Sequence, residues 1–270
     1  MNTVPHATQA LQLGAYSLKS RLILGTGKYS DYPTMVAALE ASGTDCVTVA
    51  VRRIPADEPS GQGLLDFLPR DRYTLLPNTA GCFDTASAVR TCQLAREMLE
   101  TNLVKLEVLG DTKTLLPDPL GTLRALEELV ADGFTVLVYT SDDVRLAKHM
   151  EEAGAAAVMP LGSPIGSGQG ILNPLNIRLI IEQAEVPILL DAGVGQASDV
   201  AVAMELGADG VLLNTAVAQA QDPVRMARAV YHASIAGRES YLAGRMAKRM
   251  YASASSPMQG LIAGQSAIPS

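Results

Sequence analysis

The sequence has little cysteine, few aromatic residues and few charges. Its 270 residues include three Cys, no Trp and three Phe, and charged residues make up 18% of the chain. The cysteines are Cys46, Cys82 and Cys92; they form no CxxC pair, and together with three His they show no metal-ligand spacing. We therefore expect reduced thiols in a cytoplasmic compartment, no metal and no cofactor, and we interpret Cys46 as a small core residue.

Long apolar runs and an excess of basic residues are also missing. No stretch of about 18 apolar residues occurs, which predicts no membrane-spanning helix, and the first residues lack the basic-then-apolar pattern of a signal peptide. The chain carries 21 Lys and Arg against 28 Asp and Glu, a net charge of −7, which disfavours nucleic acid as a partner. A hydrophobic content of 48% excludes intrinsic disorder. We expect a cytoplasmic globular protein.

Eight short aliphatic runs alternate with longer amphipathic segments. Near-continuous apolar runs of this length are typical of parallel strands covered on both faces. Eight is the number of strands that closes a TIM barrel, so we predict an α/β fold with a single (β/α)8 barrel domain over residues 1–270, with its core at about 10–250. Residues 251–270 are interpreted as a loose tail or as a flap ordered by a partner. A doubly wound open sheet is the alternative, although no GxGxxG follows the first run. The runs are Leu22–Leu24, Cys46–Val51, Thr74–Leu76, Leu103–Val108, Thr135–Tyr139, Ala157–Met159, Pro187–Leu190 and Gly210–Leu213.

Capping residues predict where the helices begin and end. The expected N-caps are Asp31, Asp84, Asp142 and Asn173. The expected C-terminal glycines, in the left-handed conformation, are Gly43, Gly133, Gly154 and Gly207. The Pro-, Gly- and Asp-rich segment Ile54–Arg72 is interpreted as a long insertion between the second and third strands.

The fourth run places two charged side chains on one face. Side chains alternate along a strand, so Lys105 and Glu107 point into the barrel while Val104, Leu106 and Val108 face the helices. A buried lysine can form an imine with a carbonyl, which requires the neutral amine; an unperturbed lysine is under ~0.1% neutral at pH 7, and burial disfavours the ammonium. A structural Lys–Glu pair is the alternative interpretation.

Polar residues and glycines follow the seventh and eighth runs. Asp191 ends an apolar strand, which makes it either an acid/base carboxylate at the barrel mouth or a turn residue. Loops after the last two strands, with a short helix N-terminus, form the usual phosphate site of such barrels. The predicted phosphate-site residues are Ala192, Gly193, Asn214 and Thr215.

Two further segments lie at predicted strand ends. The loop after the sixth run holds four glycines within Gly162–Gly170, which suits either wrapping of a phosphate or hydroxyl or merely a turn-rich connection. Arg52 and Arg53 follow the second run and suit a substrate carboxylate or phosphate, an acidic partner, or a solvated structural pair.

Nine sequence blocks form an ordered set over about residues 10–250. They are LILGTGKY (22–29), TVAVRR (48–53), LPNTAGC (76–82), VKLEVLGD (104–111), LLPDPLGTL (115–123), MPLGSPIGSGQGI (159–171), PILLDAGVG (187–195), GADGVLLNTAVAQA (207–220) and AGRESYLAGRM (236–246). Taken in this order, the blocks resemble bacterial thiazole synthase of thiamine biosynthesis. The resemblance implies a barrel that joins 1-deoxy-D-xylulose 5-phosphate, dehydroglycine and sulfur from a thiocarboxylated carrier protein into a thiazole phosphate.

The same resemblance implies roles for individual residues. The imine lysine corresponds to Lys105 and the two acid/base carboxylates to Glu107 and Asp191. The sugar-phosphate contacts correspond to Gly166, Ala192, Gly193, Asn214 and Thr215. It also implies a small sulfur-carrier partner and a homotetramer or homodimer. An imine-forming phosphosugar aldolase and a phosphate-binding sensor are the competing functions.

Overall fold

A ring of eight parallel strands forms the centre of the molecule, in a computed structural model that describes residues 10–53, 63–253 and 255. Neighbours pair in the order β8-β7-β6-β5-β4-β3-β10-β9, and parallel bridges Val158 to Ile188 and Leu161 to Asp191 join β8 to β9. The predicted (β/α)8 barrel is therefore confirmed. The strands are β3 Leu22–Gly25, β4 Cys46–Ala50, β5 Thr74–Asn78, β6 Leu103–Leu106, β7 Thr135–Thr140, β8 Ala157–Pro160, β9 Leu189–Asp191 and β10 Gly210–Leu213.

Helices connect most successive strands. They are α1 Tyr32–Ser42, α2 Thr85–Leu99, α3 Pro119–Ala131, α4 Val144–Glu152, α5 Pro174–Gln183, α6 Ala197–Leu206, α7 Thr215–Ala218 and α8 Pro223–Ala243. Asp31, Asp84 and Asn173 cap α1, α2 and α5 as predicted. The prediction of Asp142 as a cap is wrong by one residue, because the Asp143 carboxylate accepts the N–H groups of the first turn of α4. All four predicted C-terminal glycines have positive φ.

One connection departs from the predicted strand–helix alternation. Between β4 and β5 the described residues form no α-helix, only the 3-10 turns Val51–Arg53 and Leu64–Phe67. This agrees with an insertion at 54–72, of which residues 54–62 lie outside the described chain. The absence of a helix follows from the high content of Pro, Gly and Asp there, residues that favour turns.

A short antiparallel hairpin, which the sequence analysis did not predict, covers the amino ends of the barrel strands. It comprises β1 Leu11–Leu13 and β2 Tyr16–Leu18. Its leucines are buried with the first inward residues of the strands, including Ile23, Leu103 and Leu189. Cys46 lies fully buried in the same cluster with a free thiol, as predicted. The amino end is thus filled with hydrocarbon, which leaves the carboxyl end for the site.

The alternation on β6 is as predicted. Val104, Leu106 and Val108 pack in a cluster with Ala125 and Leu129 of α3. Leu103, whose side chain points to the opposite face of the strand from that of Val104, lies in the barrel interior. Lys105 therefore points inward, and Glu107 continues the same face one residue beyond the strand.

The chain after α8 leaves the barrel. Residues 244–253 are exposed, and the predicted tail 251–270 lies largely outside the described residues. Within the described chain, none of the helices combines the length and apolarity that a bilayer crossing requires.

Candidate active site

A cavity of about 760 Å³ opens at the carboxyl ends of the strands. Parallel strands bring their carboxyl ends to one rim, so residues far apart in sequence surround the same space. All eight predicted site residues line it: Lys105, Glu107, Gly166, Asp191, Ala192, Gly193, Asn214 and Thr215.

The base of the cavity holds a buried lysine against a buried aspartate. Lys105 Nζ lies 2.5 Å from Asp191 Oδ2, with the two side chains 8% and 5% exposed. The ring of Tyr139 lies beneath the same amine, its centroid 5.7 Å from Nζ. A desolvated ammonium is stable only when compensated, and here a carboxylate and the face of an aromatic ring compensate it. Asp191 is also the group placed to take a proton from Lys105.

Glu107 is the second carboxyl group at this point. Burial away from water raises its pKa, and the neighbouring Asp191 raises it further. The Lys105 charge and a hydrogen bond from the Gly81 N–H oppose this rise without cancelling it. Glu107 is therefore biased toward the proton-bound form, which suits a group that donates a proton and later takes one back.

Thr79 holds the backbone that carries both Lys105 and Glu107. Its hydroxyl donates to the Glu107 carbonyl at 2.7 Å and accepts the Glu107 N–H at 2.8 Å. Its own N–H donates to the Lys105 carbonyl at 3.2 Å. The β5–β6 ladder consists of the single pair Asn78–Lys105, so the buried Thr79 side chain continues the pairing where the strands separate. Sequence reasoning missed Thr79; its position directly after an apolar strand was the available signal.

Tyr139 was missed as well. It is fully buried on β7, and its hydroxyl has no hydrogen-bond partner among the described residues. Burial, Asp191 and Glu107 all raise its pKa, so the phenol stays protonated. Its ring supports the Lys105 amine from below.

The loops after β8 and β9 dock on each other at one rim. Ala192 and Gly193 both adopt the left-handed conformation, at φ 67° and 81°. Their carbonyls accept the N–H groups of Gly162 and Gly170, which joins the β9 loop to the glycine-rich loop. A Cβ on Gly193 would collide with Ser163 Oγ and approach Ser163 N to 2.5 Å. The two loops therefore approach each other more closely at this point than any residue other than glycine would permit.

Asn214 and Thr215 complete this rim after β10. Asn214 directly precedes α7, and its Oδ1 is buried without a hydrogen-bond partner in the described chain. The first N–H groups of a helix lack intrahelical partners and favour an anion. Gly166 borders the same space at φ 72°, and a Cβ there would meet nothing within 4 Å. The rim thus offers backbone donors and open volume.

Of the predicted basic pair, only the Arg52 side chain is described. Arg52 lines the cavity, while the Arg53 side chain lies outside the described part of the structure. In the described ranges, no group of three or more His, Cys, Asp and Glu is arranged to hold a metal ion.

Comparison with known sequences gives a consistent family. The family model described as thiazole biosynthesis protein ThiG matches residues 12–257. The thiazole synthase of Phenylobacterium zucineum is 63% identical over 246 residues, which cover 91% of this chain and 94% of that protein. The thiazole synthase of Maricaulis maris is 61% identical over 252 residues, 93% of this chain and 94% of its own.

Two solved structures resemble this chain, one in fold alone and one in both fold and sequence. A thiamine phosphate pyrophosphorylase from Pyrococcus furiosus, 13% identical with a TM-score of 0.55 over 80% of this chain and 95% of its own, shares the fold alone. A chain in the crystal structure of the Amycolatopsis orientalis BexX/CysO complex has a TM-score of 0.81 at 36% identity, covering 90% of this chain and 99% of that one. Because the family model matches most of this chain, the chain belongs to the ThiG family of thiazole biosynthesis proteins and is an enzyme of the thiazole synthase type.

Proposed function

We propose that this enzyme builds a thiazole phosphate from 1-deoxy-D-xylulose 5-phosphate, dehydroglycine and the sulfur of a thiocarboxylated carrier protein, through an imine on Lys105. The observation that carries the proposal is the buried contact between Lys105 Nζ and Asp191 at the base of the cavity. Burying a lysine beside two carboxyl groups lowers the free energy of unfolding, because the charged groups lose their hydration. A reactive role for the amine explains why the fold retains this arrangement.

The first step needs the free amine. Asp191, 2.5 Å from Nζ, accepts the ammonium proton, and the neutral amine attacks the ketone of the sugar phosphate. A carbinolamine forms and loses water with the help of a proton donor, giving the imine. Glu107, biased toward its protonated form by burial, is a suitable donor to the leaving hydroxyl.

Imine formation acidifies the neighbouring C–H bond. One of the two carboxylates removes that proton, and return of a proton elsewhere gives the amino-ketone tautomer with a new carbonyl. The thiocarboxylate sulfur of the carrier adds to this carbonyl, and the acyl group then moves from the sulfur to the resulting alkoxide oxygen. Elimination of that acyloxy group releases the carrier as its carboxylate and leaves the sulfur on the carbon skeleton. Dehydroglycine then closes the ring, and its nitrogen displaces the Lys105 amine. Glu107 and Asp191 both contribute proton transfers, and the sharing between them stays open.

The phosphate anchors the sugar for these steps. Its proposed ligands are backbone and side-chain groups at Gly166, Ala192, Gly193, Asn214 and Thr215, which border the cavity together. A volume of about 760 Å³ lies within the usual range of small-molecule sites, roughly 300–1,000 Å³, and accommodates a pentulose phosphate. Anchoring the phosphate fixes the ketone near the amine, which lowers the entropic part of the barrier.

The carrier partner is supported by the similar BexX/CysO structure, in which a barrel of this fold is found with a second protein. A homotetramer or homodimer remains our prediction for the oligomer, and the cytoplasm our prediction for the compartment.

Reconstitution tests the proposal directly. The purified enzyme, thiocarboxylated carrier, deoxyxylulose phosphate and dehydroglycine should yield thiazole phosphate, detected by mass spectrometry.

Borohydride trapping tests the imine. Treatment with borohydride and deoxyxylulose phosphate alone should leave a reduced adduct on Lys105. The adduct should be absent from Lys105→Ala, whose circular dichroism spectrum should match that of the wild type. An adduct on another residue would refute the assignment. Cleavage of a sugar phosphate without carrier would favour an aldolase, and ligand binding without any adduct a sensor.

A further inference from the structure

Arg52 is a cation at the cavity rim that the proposed steps do not use. It follows β4, is exposed and lines the cavity. One of its guanidinium nitrogens, Nη1, donates to the Gly81 carbonyl at 2.6 Å, which holds the side chain against the loop after β5. An arginine has five N–H donors in a planar fork, so this anchor leaves donors for a second acceptor.

Within the described residues, no neighbouring group neutralises the charge of Arg52. Across the described residues, no carboxylate comes within ion-pair distance of it. The exposed Asp84 interacts electrostatically with Arg52, but its carboxylate already accepts the Ser87 backbone N–H as the cap of α2. A guanidinium anchored at a cavity rim, with no carboxylate of the described residues paired to it, is a site for a planar anion.

The position of Arg52 in the barrel differs from that of the phosphate rim, by which we mean the proposed phosphate ligands Gly166, Ala192, Gly193, Asn214 and Thr215. In a closed ring of eight strands in this order, β4 lies opposite β8, and β5 lies opposite β9. Arg52 and Gly81 therefore face Gly166, Ala192 and Gly193 across the mouth. Lys105 lies at the base between the two rims, so a ligand bound to each rim would bring its reacting end to the amine.

We infer that Arg52 is the receptor for the carboxylate of a second reactant, held opposite the sugar phosphate. This rests on the proposed function, which brings two carboxylates to the site: that of dehydroglycine and the thiocarboxylate at the carrier terminus. Both present two acceptor atoms in a plane, the shape that the guanidinium fork binds through paired hydrogen bonds. The proposed phosphate ligands follow β8, β9 and β10, of which β8 and β9 lie on the opposite side of the ring from β4 and β5.

The first experiment compares Arg52→Gln with the wild-type enzyme and with Arg225→Gln, an exposed arginine on α8 outside the cavity. Kinetic constants are measured separately for the carrier and for dehydroglycine formed in situ from glyoxylate and ammonia. Arg52→Gln should raise one of these two KM values by at least about tenfold, since charge-assisted hydrogen bonds contribute roughly 1.5–3 kcal/mol. Borohydride trapping of the sugar-phosphate imine should stay unchanged.

The KM that rises identifies the source of the carboxylate, and Arg52→Lys should recover only part of the loss. The inference is overturned if both KM values of Arg52→Gln equal those of Arg225→Gln. So does a parallel fall in imine trapping, because Arg52 would then act through Gly81 on Glu107.

A binding measurement separates this inference from the proposed function. Oxamate, an unreactive small carboxylate of the size of dehydroglycine, is titrated calorimetrically into the wild type and both glutamine variants. Binding that only Arg52→Gln loses supports the subsite even if no imine is ever trapped. Equal oxamate binding by all three, together with an unchanged KM for the carrier, contradicts it.

Discussion

At the scale of single residues, the site is one amine surrounded by groups of complementary character. Asp191 touches Nζ of Lys105, Tyr139 lies under it, and Glu107 shares its face of the strand. The arrangement gives the amine a proton acceptor at contact distance and a second carboxyl group with a raised pKa. The proposed chemistry requires Lys105 on β6 and Glu107 just beyond it to keep their orientation, and the hydrogen bonds of Thr79 to their backbone hold that orientation.

Thr79→Val removes the hydroxyl at nearly constant volume. The Glu107 N–H and carbonyl both lose their partner, and each buried unpaired group costs about 1–3 kcal/mol. Rotation of this peptide would misplace Lys105 and Glu107, so we expect imine trapping to slow by at least about tenfold. The pH profile of turnover should shift as well, because Glu107 changes its surroundings.

Thr79→Ser is the matched control, since it keeps the oxygen and removes only a methyl group. We expect it to restore both the trapping rate and the pH profile. If valine and serine variants behave alike, the hydroxyl does not position the site.

At the scale of elements, the proposed phosphate site depends on two loops that fit together only through glycine. The β9 loop turns through two left-handed residues, and its carbonyls bind the glycine-rich loop after β8. The rim is therefore a property of the pair of loops, and a change that separates them should weaken sugar-phosphate binding without touching Lys105.

Gly193→Ala tests this. Its φ of 81° costs an alanine roughly 1–2 kcal/mol, and the new Cβ would also meet Ser163 N at 2.5 Å. Gly133→Ala is the control, with φ 83° and nothing within 4 Å of the added carbon. Urea unfolding should show a larger loss for Gly193→Ala than for Gly133→Ala. Only Gly193→Ala should weaken sugar-phosphate binding by calorimetry; equal effects of both variants on binding would contradict the docking argument.

At the scale of the whole molecule, function has a cost in stability. A carboxyl group with a raised folded-state pKa contributes stability below its ordinary value near 4.5, and that contribution is lost as the pH rises through the folded value. Above that ordinary value, the buried Glu107 therefore makes the barrel less stable than it would be with a neutral residue of the same shape at this position.

Glu107→Gln should accordingly be more stable than the wild type at pH 8 while losing turnover. The gain in the free energy of unfolding should shrink as the pH falls and disappear below about 4.5, where the wild-type carboxyl is neutral. Urea unfolding across this range measures it. Glu182→Gln, an exposed carboxylate on α5, should show no such gain; a pH-independent difference for Glu107→Gln would count against the burial argument.

The order of elements followed from the sequence by itself, because apolar runs, caps and terminal glycines act locally. The same local alternation turned Lys105 and Glu107 inward. Other features depended on contacts distant in sequence. Asp191 reaches Lys105 only because the ring closes; Thr79 binds Glu107 only because β5 and β6 separate there; and Arg52 faces the phosphate rim only because eight strands bring β4 opposite β8. Local patterns specify which way a side chain points along its own strand, but its neighbours across the barrel are determined by closure of the sheet.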